Sequence, residues 1–303
     1  MSERPAPLAT STLALIAVGV AAVSMSGPVM ASLAVPALVI SFWRNGLATL
    51  LLAPAALVRR RREIAGLSRS ELGWIVGSGV CLAVHFGTWV TSLSMTSVAS
   101  STAIVCLQIA WVVAWDRFTG VRLPVRAVVG LVLAFLGVLV ITGVDFSVST
   151  RALVGDLLAL AGSIAVAAYT VIGGRARRTV TTTSYTFVCY GTAALLLLVA
   201  SLVSGAAVVG YGARDWALIG LVTLTSQLLG HSVFNYLLDR IRPVVVSLAI
   251  LLEIPGAALI AAVFLGQLPP AGVFAGLALI LAGMALVILN GPARADEPAI
   301  ADL

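Results

Sequence analysis

Lysine is absent from this 303-residue chain, and charged side chains of every kind make up only 10% of it. So little charge, with 60% apolar residues, excludes an ordinary soluble domain, which needs a polar face toward water. There are three cysteines, Cys81, Cys106 and Cys189, with no C-x-x-C spacing, so neither a disulfide framework nor a cysteine metal site is indicated and they read as small apolar fillers. The H-E-x-x-H, G-x-S-x-G and P-loop patterns are missing too, which removes the usual warrants for a metalloprotease, a hydrolase or an ATPase. Histidine occurs twice, at His85 and His231, too sparsely for a ligand signature that would hold haem, and no cofactor is expected.

What the chain has in abundance is long apolar runs. Stretches near the roughly 20 residues that cross a bilayer recur at 8–27, 35–57, 72–92, 98–115, 126–143, 153–173, 183–205, 214–237, 243–266 and 271–290. The expected fold is therefore an all-α membrane protein with ten transmembrane helices. All 18 basic residues are arginine, and with the N-terminus inside, 15 of them fall in cytoplasmic segments, against Arg151 and Arg214 outside and Arg44 within a span. By the positive-inside rule both termini are then cytoplasmic. The run Arg59 to Arg62 reads as a topology anchor, and no nucleic-acid partner is expected. The first apolar stretch follows a single arginine and precedes nine more, which favours an uncleaved helix over a signal peptide. Residues 291–303 are expected to form a disordered cytoplasmic tail.

Shifting the chain against itself by 146 residues superposes His85 on His231, Gly120 on Gly266, Pro124 on Pro270, Gly130 on Gly276 and Gly137 on Gly283. The repeated unit holds five spans, residues 8–143 and 151–290, and an odd number of spans forces the copies into opposite orientations. Two inverted five-helix repeats are a common plan among secondary transporters, with substrate near the midplane between them. Glycine pairs such as Gly130/Gly137 and Gly276/Gly283 read as close-packing positions. Pro28 and Pro255 read as kinks, with Pro255 a gating candidate.

Polar residues inside the spans are the candidate site, because they are costly in hydrocarbon and face a bundle interior or a cavity. Ser78, Cys81, His85, Thr88, Trp89 and Ser92 share one face of the third span, as Gln227, His231 and Asn235 do in the eighth. The fourth adds Ser101, Gln108, Trp111 and Trp115, the ninth Ser247 and Glu253. The substrate-binding set is His85, Trp89, Gln108, Trp111, Gln227, His231 and Asn235. Glu253 is the candidate proton-binding group and Arg44 its candidate partner. Asp156 reads as an acidic residue at a helix N-terminus, and Tyr169, Tyr185 and Tyr190 as path-lining or interfacial side chains. A scaffold or sensor that moves no solute, and a channel, remain alternatives, and association into a homodimer stays open.

Several stretches carry a family resemblance: His85-Phe86-Gly87-Thr88-Trp89 leading to Ser94 through Ser101, Gln108 to Trp111, Gly230-His231 through Asn235-Tyr236, Leu252 through Ala257, and Leu265-Gly266. On these residues the chain resembles the EamA-type transporters of the drug/metabolite transporter superfamily, from about residue 10 to 290. The resemblance implies a secondary carrier of small molecules, commonly an exporter of amino acids or related metabolites, working by alternating access; the lack of lysine points to a bacterial genome, and the bacterial inner (plasma) membrane is the expected location. It also implies a central cavity lined by helices 3, 4, 8 and 9. The sequence departs from the family where Ile254 separates Glu253 from Pro255, where Ile109 follows Gln108, and where Gln267 follows Gly266.

Overall fold

The computed structural model describes residues 10–120, 123–230, 233–234 and 249–290, and among these every regular element is a helix. The first span is split into α1 (Thr10–Ser24) and α2 (Ser26–Ala31), followed by α3 (Ala37–Arg59), the short α4 (Arg61–Ala65) and α5 (Arg69–Ser92). Then come α6 (Val98–Val105), α7 (Gln108–Phe118), α8 (Val125–Val148), α9 (Thr150–Ala176), α10 (Thr182–Val203) and α11 (Ala213–Val222). A π-helix (Thr223–Gly230), α12 (Glu253–Leu265) and α13 (Ala271–Asn290) complete the described chain.

Eight helical stretches among the described residues are long and apolar enough to cross a membrane, and the helix Ala249–Leu265 is shorter. The expected eighth and ninth spans lie partly, and the expected tail wholly, outside the described residues, so ten complete spans are not seen. Many large apolar side chains point outward, among them Leu139 on α8, Phe264 on α12 and Leu289 on α13. That is the surface a bilayer solvates and water does not.

The proline expectations are met in position: Thr10–Ala31 and Ala249–Leu265 are each one apolar helix interrupted at a single residue, Met25 and Leu252, three residues before Pro28 and Pro255. A proline lacks the N–H that would bond the carbonyl four residues back, here Ser24 and Leu251, and its ring crowds that carbonyl, so the helix breaks just ahead of it. The prolines themselves then stand third in the new helical segments α2 and α12.

Glycine lets α8 and α13 meet backbone to backbone. A Cβ on Gly130 would stand 2.5 Å from the Gly283 carbonyl oxygen, and one on Gly137 would stand 2.7 Å from that of Gly276. The pairing runs antiparallel, with Gly130 meeting Gly283 and Gly137 meeting Gly276.

At one end, α4 is fastened to the start of α10. Thr181 is the N-cap of α10 but makes no side-chain cap of its own. Instead Glu63 accepts from the Thr181 N–H at 2.7 Å, from Thr181 Oγ1 at 2.8 Å and from Ser184 Oγ at 2.9 Å. A carboxylate from α4 thus satisfies one of the orphan backbone donors of the helix and two hydroxyls of its first turn. Partial burial alone would raise the Glu63 carboxyl, but the bonds from Thr181 and Ser184, with Arg60 nearby, hold it below the usual carboxylate range. A depressed folded-state value contributes stability above the unfolded pKa, about 4.3, and loses it as pH falls through the folded value. Glu63→Gln is therefore expected to lower thermal stability in detergent at pH 7 by about 0.5 kcal/mol, discounted for solvent screening. Melts of the two proteins should converge in acid below about pH 4.

Candidate substrate site

The polar centre is built on α3, where Ser41, Arg44 and Asn45 fall on one face by helical spacing and all three are buried. Arg44 is 2% exposed. Its Nε donates to Gln227 Oε1 at 2.6 Å, and its Nη1 donates to Ser26 Oγ at 2.9 Å and toward Met30 Sδ at 3.6 Å. The guanidinium lies 4.5 Å from the centre of the Phe86 ring, a cation–π contact. Gln227 completes a bridge by donating from Nε2 to Asn45 Oδ1 at 3.4 Å, and Tyr190 of α10 reaches the same glutamine. Ser41 Oγ ties α3 to α5 through the Phe86 carbonyl at 3.1 Å.

These hydrogen-bond partners of Arg44 are all neutral. Glu253, half-buried at the first residue of α12, is close enough for its charge to interact with Arg44, but it is not among them. A buried guanidinium held by neutral groups keeps a net positive charge in a low-dielectric setting. Gln227 is held where the helix widens from α to π, a distortion frequent at functional sites.

Among the described residues several buried donors have no hydrogen-bond partner: the indole nitrogens of Trp89 and Trp111 and the hydroxyls of Ser24 and Thr102. Leaving such a group unpaired costs about 1–3 kcal/mol, so each calls for a reason. Trp89 packs against His85, ring centres 5.5 Å apart and nearly parallel, and Trp111 stands edge-on to Phe135 at 4.9 Å.

Two helix breaks frame the site. The fourth span parts at Cys106-Leu107, so that Gln108 opens α7. The ninth parts at Leu252, so that Glu253 opens α12. Under the 146-residue shift Cys106-Leu107 corresponds to Leu252-Glu253, so the two breaks occupy matching places. The first span breaks beside them, since α2 packs on α6 and α12.

Not every expected residue joins this centre. His85 lies at the seam of α5 and α9, its Nδ1 bonded to the Gly162 carbonyl at 2.9 Å, an acceptor that requires Nδ1 to carry the proton. His231 and Asn235 lie outside the described residues. Pro255 is exposed and lines an apolar groove of about 420 Å³ between α12 and α13, away from the polar groups. A second apolar groove of about 440 Å³, between α1 and α12, touches the polar set only at Ser24. Tyr169 and Tyr185 sit in a separate cluster, where Ser78 Oγ meets Tyr185 OH at 2.6 Å and the Tyr169 carbonyl at 3.2 Å. The sequence reading missed Ser26, Asn45 and Phe86. The Ser41, Arg44, Asn45 spacing was the available signal, outweighed there by the histidines.

The profile of the EamA-like transporter family matches the chain twice, over residues 10–143 and 153–289. A solved crystal structure, 18% identical, covers 94% of this chain and 99% of its own with a TM-score of 0.63, so the two share a fold. No curated protein matches. Two copies of the family's unit span nearly the whole chain, and this multi-pass membrane protein belongs to the EamA-like transporter family, the transporters of the drug/metabolite superfamily that take small molecules through a lipid bilayer.

Proposed function

We propose that the protein is a secondary transporter of small zwitterionic or amphipathic metabolites, such as amino acids, that works by alternating access in a bacterial inner membrane. The observation that carries this reading is Arg44, a buried cation bridged from the first repeat to Gln227 of the second. A solute carboxylate would answer its charge, a solute amine would face Glu253, and the unpaired Trp89 and Trp111 N–H groups would donate to polar atoms of the solute. Broken helices at matching places in two repeats are a pointer to a midplane site. An inverted relation of the repeats is supported by the glycine seam, because exchanging the copies turns the Gly130/Gly283 contact into the Gly276/Gly137 contact. The arginine distribution supports cytoplasmic termini. Glu253 is the group through which a proton would couple to the solute, and outward movement is the proposed direction.

Liposomes containing the purified protein should take up members of a labelled amino-acid and amine pool saturably, with counterflow. Flux that neither saturates nor shows counterflow would identify a channel, and no flux with any solute class would favour a scaffold. Trp89→Phe keeps the ring and removes the N–H, so it is expected to raise KM about tenfold, the effect of one lost hydrogen bond, with kcat much less affected.

A further inference from the structure

Where α8 passes into α9, two carboxylates lie inside the protein. Asp145, near the end of α8, is 4% exposed, and Asp156, in the second turn of α9, is 2% exposed. Asp156 does not cap α9, contrary to the expectation from sequence. The N-cap is Ser149, whose side chain accepts from the Ala152 N–H, and the helix starts six residues before Asp156, beyond the reach of its terminal dipole. Thr96 Oγ1 donates to Asp145 Oδ2 at 3.1 Å. Gly155 admits this turn, since a Cβ there would stand 2.9 Å from the Thr96 nitrogen. Asp156 is surrounded by Asp145, Thr96 and Thr142, yet neither of its oxygens has a partner in hydrogen-bond geometry.

We propose that Asp145 and Asp156 form a proton-binding carboxyl pair at the joint between the two repeats. Two carboxylates withdrawn from water and facing one another repel when both are charged, and an unpaired ionised carboxylate at this depth is costly. One proton shared between them removes a charge and supplies the O–H donor that the Asp156 oxygens lack. The proton comes from water at this end of the bundle, the outer face on the arginine topology, and returns to it. Several other titratable groups on or beside α9 are engaged elsewhere. His85 of α5 is bonded at the Gly162 carbonyl further along, and Arg151 of α9 donates Nη2 to the Ser94 carbonyl at 2.7 Å. From α10, Tyr185 faces α9 near Gly173, in the cluster with Tyr169. α6 has no titratable side chain, and α7 carries Asp116 and Arg117 in its last turn, at the opposite end from Thr96.

The pair joins the last helix of the first repeat to the first helix of the second. Losing the proton would push α8 and α9 apart, so occupancy of the pair reports on the packing of that joint. Its use in transport rests on the function proposed above, whereas proton binding does not. The test accordingly needs no solute: infrared difference spectra of the full chain in liposomes, titrated with pH in sodium-free buffer. A protonated-carboxyl band worth one proton is expected in the wild type and is expected to vanish in both Asp156→Asn and Asp145→Asn. Thr96→Val, which keeps both carboxyls but removes a donor, should retain the band with a shifted midpoint. A band that survives both asparagine substitutions overturns the proposal. So does a Thr96→Val titration that matches the wild type, or a wild-type signal displaced by sodium at constant pH.

Discussion

Arg44→Gln is expected to reduce solute flux at least a hundredfold while the protein still inserts and remains monodisperse in detergent. Glutamine retains an amide donor toward Ser26 Oγ but removes the only charge in that network, together with its cation–π contact on Phe86. Charge-assisted hydrogen bonds contribute about 1.5–3 kcal/mol each, and a solute carboxylate facing the guanidinium gains two of them. The loss should appear in binding as well as turnover, so solute-dependent thermal stabilisation should vanish together with flux. Arg44→Lys should recover only part of either, because an ammonium cannot hold Gln227 and Ser26 in one planar fork while presenting a further donor. Flux unchanged in Arg44→Gln would remove the central claim of the proposed site. A second variant separates charge from shape: if Glu253 faces the solute amine, Glu253→Gln should impair zwitterions more than simple carboxylates.

The other large effect concerns folding. Gly283→Val should prevent recovery of folded protein, because even its Cβ would lie 2.5 Å from both the Ala134 nitrogen and the Gly130 carbonyl oxygen. These are backbone atoms, so no rotamer change relieves the overlap and the helices themselves must part. Overpacking of an ordinary core costs about 1–3 kcal/mol, and two branched methyls at a backbone contact exceed that range. Gly143→Ala, on the facing helix α8 but with nothing within 4 Å of the added carbon, is the control and should be tolerated. Size-exclusion profiles and melts of the two variants in detergent would distinguish the cases. A monodisperse Gly283→Val with a normal melt would mean that α8 and α13 do not pack as described.

The long spans were legible because hydrocarbon imposes one requirement, about 20 apolar residues with every backbone bond satisfied internally. The glycine pairs were legible for a related reason: a periodic small residue has few uses other than close approach. Helix breaks were harder to read. Pro28 and Pro255 announce the breaks at Met25 and Leu252, three residues ahead of each, whereas no proline marks the parting at Cys106-Leu107. Arg44 and Gln227 were both singled out, but in different roles, because nothing in a sequence measures the distance between positions 183 residues apart. His85 shows a part that sequence does not reveal: a histidine in a span invites a role with solute, and the structure adds that its Nδ1 joins two helices at a main-chain carbonyl. Asp156 differs, since its position near the start of a span suggested a cap until the helix proved to begin earlier.

The seam between α8 and α13 has a mechanical consequence. At its two glycine stations main chain meets main chain, with Ile280 and Leu286 of α13 and Ile141 of α8 closing round the contacts. Such a contact holds the separation of two rods firmly, so relative motion of the pair would be confined to small changes of crossing angle. The crossing would then act as a pivot. Points near it would stay almost still, while the distal ends of the helices, about 36 Å and about 30 Å long for 24 and 20 residues, would sweep distances that grow with their separation from the glycines. In the alternating-access cycle proposed above, a few degrees at the centre would become ångströms at the membrane faces, where a passage would open on one side and close on the other.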